Sequence, residues 1–191
     1  MIPVVCVVKN ERPIDESTFR FLLQFVQPEK RERILRQRIK QNADNMLVGD
    51  ILAKYMVKRE FGIPFSCQQV SYGQYGKPYL TRYSDVHFNI SHSGQFVACA
   101  VCDVSVGIDI QETVPYKADV AHRMYSVMDL LTIHTSVNQA FEFTKIWTQK
   151  EAYTKMLGTG ICSTTMTTTA FQSISFEFEE TPISVVWQGS G

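Results

Sequence analysis

Apolar positions change period several times along this chain of 191 residues, and each change predicts an element. Val4, Val5, Val7 and Val8 lie in a run that reads as a strand over residues 2–8. Asp15-Glu16-Ser17 offers helix-start chemistry before Phe19, Leu22, Leu23 and Val26, which recur at helical spacing. Pro28 suits the first turn of a second helix, Pro28-Glu29-Lys30-Arg31-Glu32-Arg33, polar and strongly basic on one side. A longer helix is predicted from about Asn42, with Leu47, Val48, Ile51, Leu52, Tyr55 and Met56 on its core face. Gly62 and Pro64 are its stop signals. From Cys67 to Gln111 the period drops to two, as Val86, Phe88 and Ile90 alternate with His87, Asn89 and Ser91. Ser93-Gly94 turns the chain into a strand over 95–102, and Asp103-Val104-Ser105 into a third over 106–111, which predicts an antiparallel meander. The helical period returns over 118–131 and 138–157, closed by Gly158-Thr159-Gly160. Two short strands near 171–178 and 183–187 follow, with Thr181-Pro182 as their turn.

Helices followed by strands therefore occur twice, with the break near 103–106. The order predicts an α+β protein of two halves, 1–104 and 105–191, packed against each other with a ligand cleft between them. What repeats is the order of elements, since no residue-level period is visible. No linker rich in Pro, Gly or Ser separates the halves, so they are expected to share one interface and move little.

Composition narrows the function. Lysine plus arginine number 19 and aspartate plus glutamate 19, and a formal charge of zero argues against a nucleic-acid partner. Apolar residues make up 45% of the chain and aromatics 12%, which argues against disorder. Five cysteines, at 6, 67, 99, 102 and 162, fit a reduced compartment better than a disulfide framework. Cys99 and Cys102 have the spacing of a metal or redox pair, but in a strand residues three apart point to opposite faces. The run Met1-Ile2-Pro3-Val4-Val5-Cys6-Val7-Val8 lacks a basic start and is too short for a signal peptide or a membrane span. A cytoplasmic protein with no membrane partner is the expectation.

Two segments carry the candidate chemistry. In Val106-Gly107-Ile108-Asp109-Ile110-Gln111, Asp109 and Gln111 share the face opposite Ile108 and Ile110. A carboxylate beside an apolar strand needs a hydrogen bond, a counter-charge or a metal, so Asp109 is either a strand-end acceptor or a ligand. In Trp147-Thr148-Gln149-Lys150-Glu151-Ala152-Tyr153-Thr154-Lys155, helical spacing puts Trp147, Glu151 and Lys155 along one face. Glu151 and Lys155 alone read as a surface pair, but Trp147 favours a wall or cleft and Lys150 adds a second cation. Ser91-His92-Ser93-Gly94 can present hydroxyl, imidazole and turn amides to a phosphate, or can be a half-exposed histidine with an ordinary partner. Lys30 and Arg33 lie on the basic helix, and Lys77 sits in the turn Tyr75-Gly76-Lys77-Pro78. No phosphate loop, dinucleotide fingerprint, nucleophile elbow or zinc-spaced cluster competes.

Taken together these motifs resemble the 4'-phosphopantetheinyl transferase superfamily, in particular its surfactin-synthetase-type enzymes. The resemblance rests on Phe88-Asn89-Ile90-Ser91-His92-Ser93-Gly94, Gly107-Ile108-Asp109-Ile110 and the 147–155 helix. Pro28-Glu29-Lys30-Arg31-Glu32, Leu47-Val48-Gly49-Asp50 and the Tyr75–Pro78 turn extend it over roughly residues 1–160. It implies a pseudo-dimer of two similar halves with the active site between them. It also implies coenzyme A and Mg²⁺, with the phosphopantetheine arm passed to a serine of an acyl- or peptidyl-carrier protein and 3',5'-ADP released. Asp109 and Glu151 would hold the metal, and Glu151 would take the serine proton, directly or through a water. Lys155 would stabilise the departing α-phosphate. Lys30, Arg33 and His92 match positions that grip the coenzyme's 3'-phosphate, Lys77 and Ser91 positions beside adenine and ribose, and Lys150 joins the coenzyme-binding set. Relatives of this two-halved type act as monomers.

Three positions depart from the pattern. Gln111 stands where the family commonly has a third acidic ligand, so its amide oxygen would complete the metal set without a charge. Glu112 would point to the opposite face if the strand continued. Asn45 replaces an arginine of the 3'-phosphate clamp, and Thr159 a cation between the closing glycines. Gln111 and Asn45 raise a rival reading, a degenerate relative that binds coenzyme A or a carrier protein with little turnover, against which the retained Asp109, Lys150, Glu151 and Lys155 argue. Beyond residue 170 the match is poor.

Overall fold

Two three-stranded antiparallel sheets lie face to face, each with a long helix on its outer side. This is a computed structural model, and it describes residues 1–160 and 170–189. The first half contains β1 (Val4–Lys9), α1 (Glu16–Leu23), α2 (Pro28–Leu35), α3 (Lys40–Phe61), β2 (Val70–Tyr72), β3 (Pro78–Leu80), β4 (His87–Ser93) and β5 (Phe96–Cys102). The second contains β6 (Val106–Ile110), α4 (Ala118–Met124), α5 (Val127–Thr135), α6 (Gln139–Leu157), β7 (Phe171–Phe178) and β8 (Thr181–Gln188). The sheet orders are β1-β5-β4 and β6-β8-β7, with β2 and β3 forming a small separate hairpin.

Strand β5 explains why the two halves adhere. All seven of its residues are buried, because both of its faces are covered. Val97, Cys99 and Val101 pack under Leu52, Met56 and Val57 of α3. Phe96, Ala98, Ala100 and Cys102 meet Val106, Ile108 and Ile110 of β6 and Ile183 and Val185 of β8. Cys99 and Cys102 thus lie in different layers, as the strand alternation predicts. Cys6, Cys67, Cys99 and Cys102 are free thiols, and Cys162 lies outside the described residues.

Four expectations are corrected. β6 does not extend a meander: β5 already has β1 on one edge and β4 on the other, so β6 pairs instead with β8. The helix expected over 118–131 is two, because Ser126 and Asp129 form a reciprocal capping box that starts α5 afresh. The turn between β7 and β8 is Glu179-Glu180, both at positive φ, and Pro182 lies inside β8. Tyr55 of α3 is 51% exposed, so it lies outside the helix's buried stripe rather than on its core face. Both long helices end on a left-handed glycine, Gly62 and Gly158, each at φ 71°. No helix among the described residues is long and apolar enough to cross a membrane.

Candidate active site at the seam between the sheets

Strand β4 meets β6 through side chains. Its alternation sends Asn89, Ser91 and Ser93 toward the β6 segment, where two find partners on the strand and Ser93 finds one just past its end. Asn89 Oδ1 accepts from the Ile108 amide at 2.9 Å. Ser91 donates to Asp109 Oδ1 at 2.7 Å. Ser93 Oγ accepts from the Glu112 amide at 2.9 Å. The Ile108 amide on the free edge of β6 is thereby satisfied without a backbone ladder, and the three contacts together hold the strand's register against the first half.

On the other face of β6, Gly107 lets helix α6 settle onto the strand. A Cβ at this position would lie 2.0 Å from the Ala152 carbonyl oxygen and 2.4 Å from the Met156 amide nitrogen. Only a bare Cα allows that approach. The result brings the turn of α6 carrying Glu151 and Lys155 over Asp109. Beneath it, buried Thr148 and Ser184 and half-buried Ser175 form a hydroxyl chain, with Thr148 to Ser184 at 2.8 Å and Ser175 to Ser184 at 2.9 Å.

Asp109, Gln111, Ser91, His92, Trp147, Glu151 and Lys155 consequently line one cavity of ≈ 300 Å³. Lys155 Nζ donates to Asp109 Oδ1 at 2.6 Å and to Ser91 Oγ at 3.0 Å. The Lys155 ion pair therefore forms with the acid of β6, not with Glu151 along the helix as the surface-pair reading would have it. Glu151 makes no side-chain hydrogen bond or ion pair among the described residues. Burial raises its proton affinity, the Asp109 charge raises it further, and Lys155 opposes both. His92 is held below its ordinary pKa by burial and by the charges of Lys155 and Lys30, against Asp109. The Gln111 amide donates to the Glu112 carbonyl at 3.3 Å, and its oxygen accepts nothing among the described residues.

A second cavity of ≈ 240 Å³ adjoins the first, sharing Ile90, Glu151 and Lys155, with Tyr75, Lys77, Asn89 and Thr154 also on its walls. Lys77 donates to the Met156 carbonyl at the end of α6 and to Ser105 Oγ, and burial lowers its pKa to about 8. Lys30, Arg33 and Lys54 form a basic cluster behind His92. Lys30 sits 3.9 Å from Asp50, and Arg33 stacks on Tyr72. Burial lowers the Lys30 pKa, Asp50 raises it, and Arg33 and Lys54 lower it.

Both halves of the chain match known families. Residues 12–103 match the profile described as 4'-phosphopantetheinyl transferase, N-terminal, and residues 105–189 match that of the 4'-phosphopantetheinyl transferase superfamily. The chain is similar to 4'-phosphopantetheinyl transferase Sfp of Bacillus subtilis (strain 168), 34% identical over 153 residues, 79% of this chain and 68% of the relative. It is also similar to 4'-phosphopantetheinyl transferase gsp of Aneurinibacillus migulanus, 31% identical over 156 residues, 81% of this chain and 65% of the relative. A Mus musculus relative, L-aminoadipate-semialdehyde dehydrogenase-phosphopantetheinyl transferase, is 27% identical over 176 residues, 84% of this chain and 54% of its own. The chain belongs to the 4'-phosphopantetheinyl transferase superfamily.

For a phosphopantetheinyl transferase, the candidate residues sort into those the fold gathers and those it does not. Asp109, Gln111, Glu151, Lys155, Ser91 and His92 share one cavity. Lys77 lies in the adjoining one, and Lys30 is linked to His92 by its field. Lys150 is not gathered: successive helix positions diverge by about 100°, and its ammonium pairs with Asp129 at 3.0 Å and faces the Tyr125 ring. Ser91 spends its hydroxyl on Asp109, in the carboxylate cavity and away from Lys77. Asn45 is fully occupied in holding the turn after β4, donating to the Gly94 carbonyl at 2.8 Å. Glu112 folds back over Gly94, where any Cβ would strike its carboxylate. Asn89, Asp50 and the Thr148–Ser184 chain escaped the sequence reading. For Asn89 a signal existed, since three polar residues alternate on one face of a strand that is otherwise apolar.

Proposed function

We propose that this protein transfers the 4'-phosphopantetheine arm of coenzyme A to a serine of an apo acyl- or peptidyl-carrier protein, with Mg²⁺, releasing 3',5'-ADP. The observation that carries this reading is the shared cavity of Asp109 and Glu151, two carboxylates from different elements close enough for one to raise the other's proton affinity.

The donors fit Mg²⁺. Among the described residues no three acidic, histidine or cysteine side chains form a ready metal cage. Mg²⁺ does not require one, being held in phosphoryl transferases by one or two carboxylates, substrate phosphates and water. Asp109 and Glu151 offer the carboxylates, Gln111 the free amide oxygen, and there is no thiolate among the residues lining the cavity. When bound, the metal neutralises charge on the pyrophosphate and fixes its orientation.

The chain's own groups do the rest. The serine oxygen of the carrier attacks the β-phosphorus, the bond from that phosphorus to the bridging oxygen breaks, and the electron pair leaves with 3',5'-ADP. Glu151, whose raised pKa suits a general base, accepts the serine proton. Lys155, poised on Asp109 and Ser91, is in reach of the leaving phosphate and compensates its growing charge. His92, Lys30 and Arg33 supply donors and positive charge for the 3'-phosphate. In this reading Lys150, paired to Asp129 beside the cavity, contributes long-range charge only. The protein acts as a monomer in the cytoplasm.

The test is mass spectrometry of an apo-carrier protein incubated with coenzyme A, Mg²⁺ and this protein. A mass gain of one phosphopantetheine on the serine supports transfer. Binding of coenzyme A with no gain on any apo-carrier would instead support the degenerate reading.

A further inference from the structure

The ammonium of Lys77 is engaged where the two halves meet. Lys77 follows Gly76 in the turn between β2 and β3, and its carbonyl accepts from the Gly73 amide at 2.9 Å, which pins its backbone in the first half. Its side chain reaches the second. The stem lies against Gly158, where an added Cβ would come within 3.2 Å of the Lys77 Cδ. Nζ donates to Ser105 Oγ at 2.8 Å and to the Met156 carbonyl. Ser105 Oγ donates in turn to the same carbonyl at 2.6 Å.

That carbonyl belongs to the last turn of α6, which ends at Leu157 with Gly158 as its cap. The final carbonyls of a helix have no partner within it and need donors from outside. A cation is favoured there because the helix dipole ends negative. Ser105 is itself fixed, since its own carbonyl accepts from the Gln188 amide at 2.9 Å, at the end of β8. The hairpin of the first half, the segment between β5 and β6, and the end of α6 are thus joined at one oxygen. Met156 follows Lys155 directly, and Glu151 lies one turn earlier on the same helix. An ammonium has three donors, and two of these three are spent on the junction. The expectation that Lys77 serves the coenzyme's adenine leaves those two bonds without a role.

We infer that Lys77 is a positioning residue of this transferase, whose ammonium, together with Ser105, clamps the last turn of α6 and thereby holds Lys155 and Glu151 over Asp109. The inference rests on the function proposed above and adds to it a residue that acts through the helix rather than on the coenzyme.

Two variants separate that role from a coenzyme contact and from stability alone. Lys77→Met keeps the stem and removes the donors. Ser105→Ala breaks the same junction from a residue that lines neither cavity. Each is expected to lower the unfolding temperature by about 5 °C. Measured well below that temperature, carrier modification at saturating coenzyme A should show kcat about tenfold lower in both. Calorimetric titration with 3',5'-ADP, without divalent cation, should give a Kd within about twofold of the unaltered protein in both. Unchanged kcat in both variants, whatever their unfolding temperatures, would overturn the inference by reducing the junction to a structural one. A Kd weakened in Lys77→Met alone, with kcat intact, would overturn it in favour of a coenzyme contact, and either result leaves the transferase reading standing. No carrier modification by the unaltered protein would overturn both.

Discussion

Replacing Gly107 by alanine tests whether strand β6 and helix α6 hold the site together. The added Cβ would stand 2.0 Å from the Ala152 carbonyl oxygen, 2.4 Å from the Met156 nitrogen and 3.0 Å from the Lys155 carbonyl carbon, all backbone atoms. Ordinary contact begins near 3.4 Å, so the helix must retreat by 3.4 − 2.0 = 1.4 Å at its closest point. No flexible side chain can yield in its place. Overpacking of this kind costs about 3 kcal/mol. For a chain of this size that corresponds to a fall of roughly 6–12 °C in Tm. Because the displaced turn carries Glu151 and Lys155, the loss of activity should exceed the loss of stability. A shift of about 1 Å in reacting groups costs on the order of 100-fold in rate. Thermal unfolding and the rate of carrier modification, both measured well below the variant's Tm, give the two numbers. A Gly107→Ala protein with unaltered Tm and turnover would refute the backbone contact and the placement of Glu151 that depends on it.

Three more outcomes follow from the same geometry. Gln111→Glu restores a charge to the oxygen set and should lower the Mg²⁺ concentration for half-maximal activity by about tenfold; an unchanged or higher requirement contradicts a ligand role. Glu151→Gln should reduce kcat by about 10²–10⁴-fold. It should also raise the Tm of the metal-free protein at neutral pH. Burial and Asp109 raise the carboxyl's pKa in the folded state, so ionising it costs stability as pH rises past its ordinary value; retained turnover would remove Glu151 from the mechanism. Lys77 is held at about 8 against an ordinary 10.5, so between those values the unfolded chain keeps a proton that the folded chain has released. Stability through this group therefore rises with pH across that window. Urea unfolding at both ends of it should show a gain that Lys77→Met lacks; equal gains would put the lysine in water.

Much of this was legible before any coordinates. Asp109 and Gln111 share a face because a strand alternates, and Trp147, Glu151 and Lys155 share one because a helix repeats, so both halves of the site were readable locally. What failed is strand partnership. The alternation over 106–111 identifies a strand but carries no information on its neighbour, and only the fact that β5 has both edges filled sends β6 to β8. Lys150 misled because charge next to Glu151 in sequence is charge on another side of the helix, where Asp129 waits for it. Asp50 was hidden for a different reason. Lys54 lies one turn along the same helix, but Lys30, which with it lowers a pKa that burial raises, comes from α2, and no periodicity relates that residue to Asp50. A glycine inside a strand admits a close neighbour, and at Gly107 that neighbour is the backbone of helix α6, which the strand's own sequence does not name.

The most direct measurement is a crystal structure with coenzyme A and Mn²⁺ substituted for Mg²⁺, using anomalous scattering to locate the metal. One peak, contacted by Asp109 and Glu151 together and by pyrophosphate oxygens, is the predicted result. A peak reached by only one of the two carboxylates, or lying outside their cavity, would contradict the account at its root.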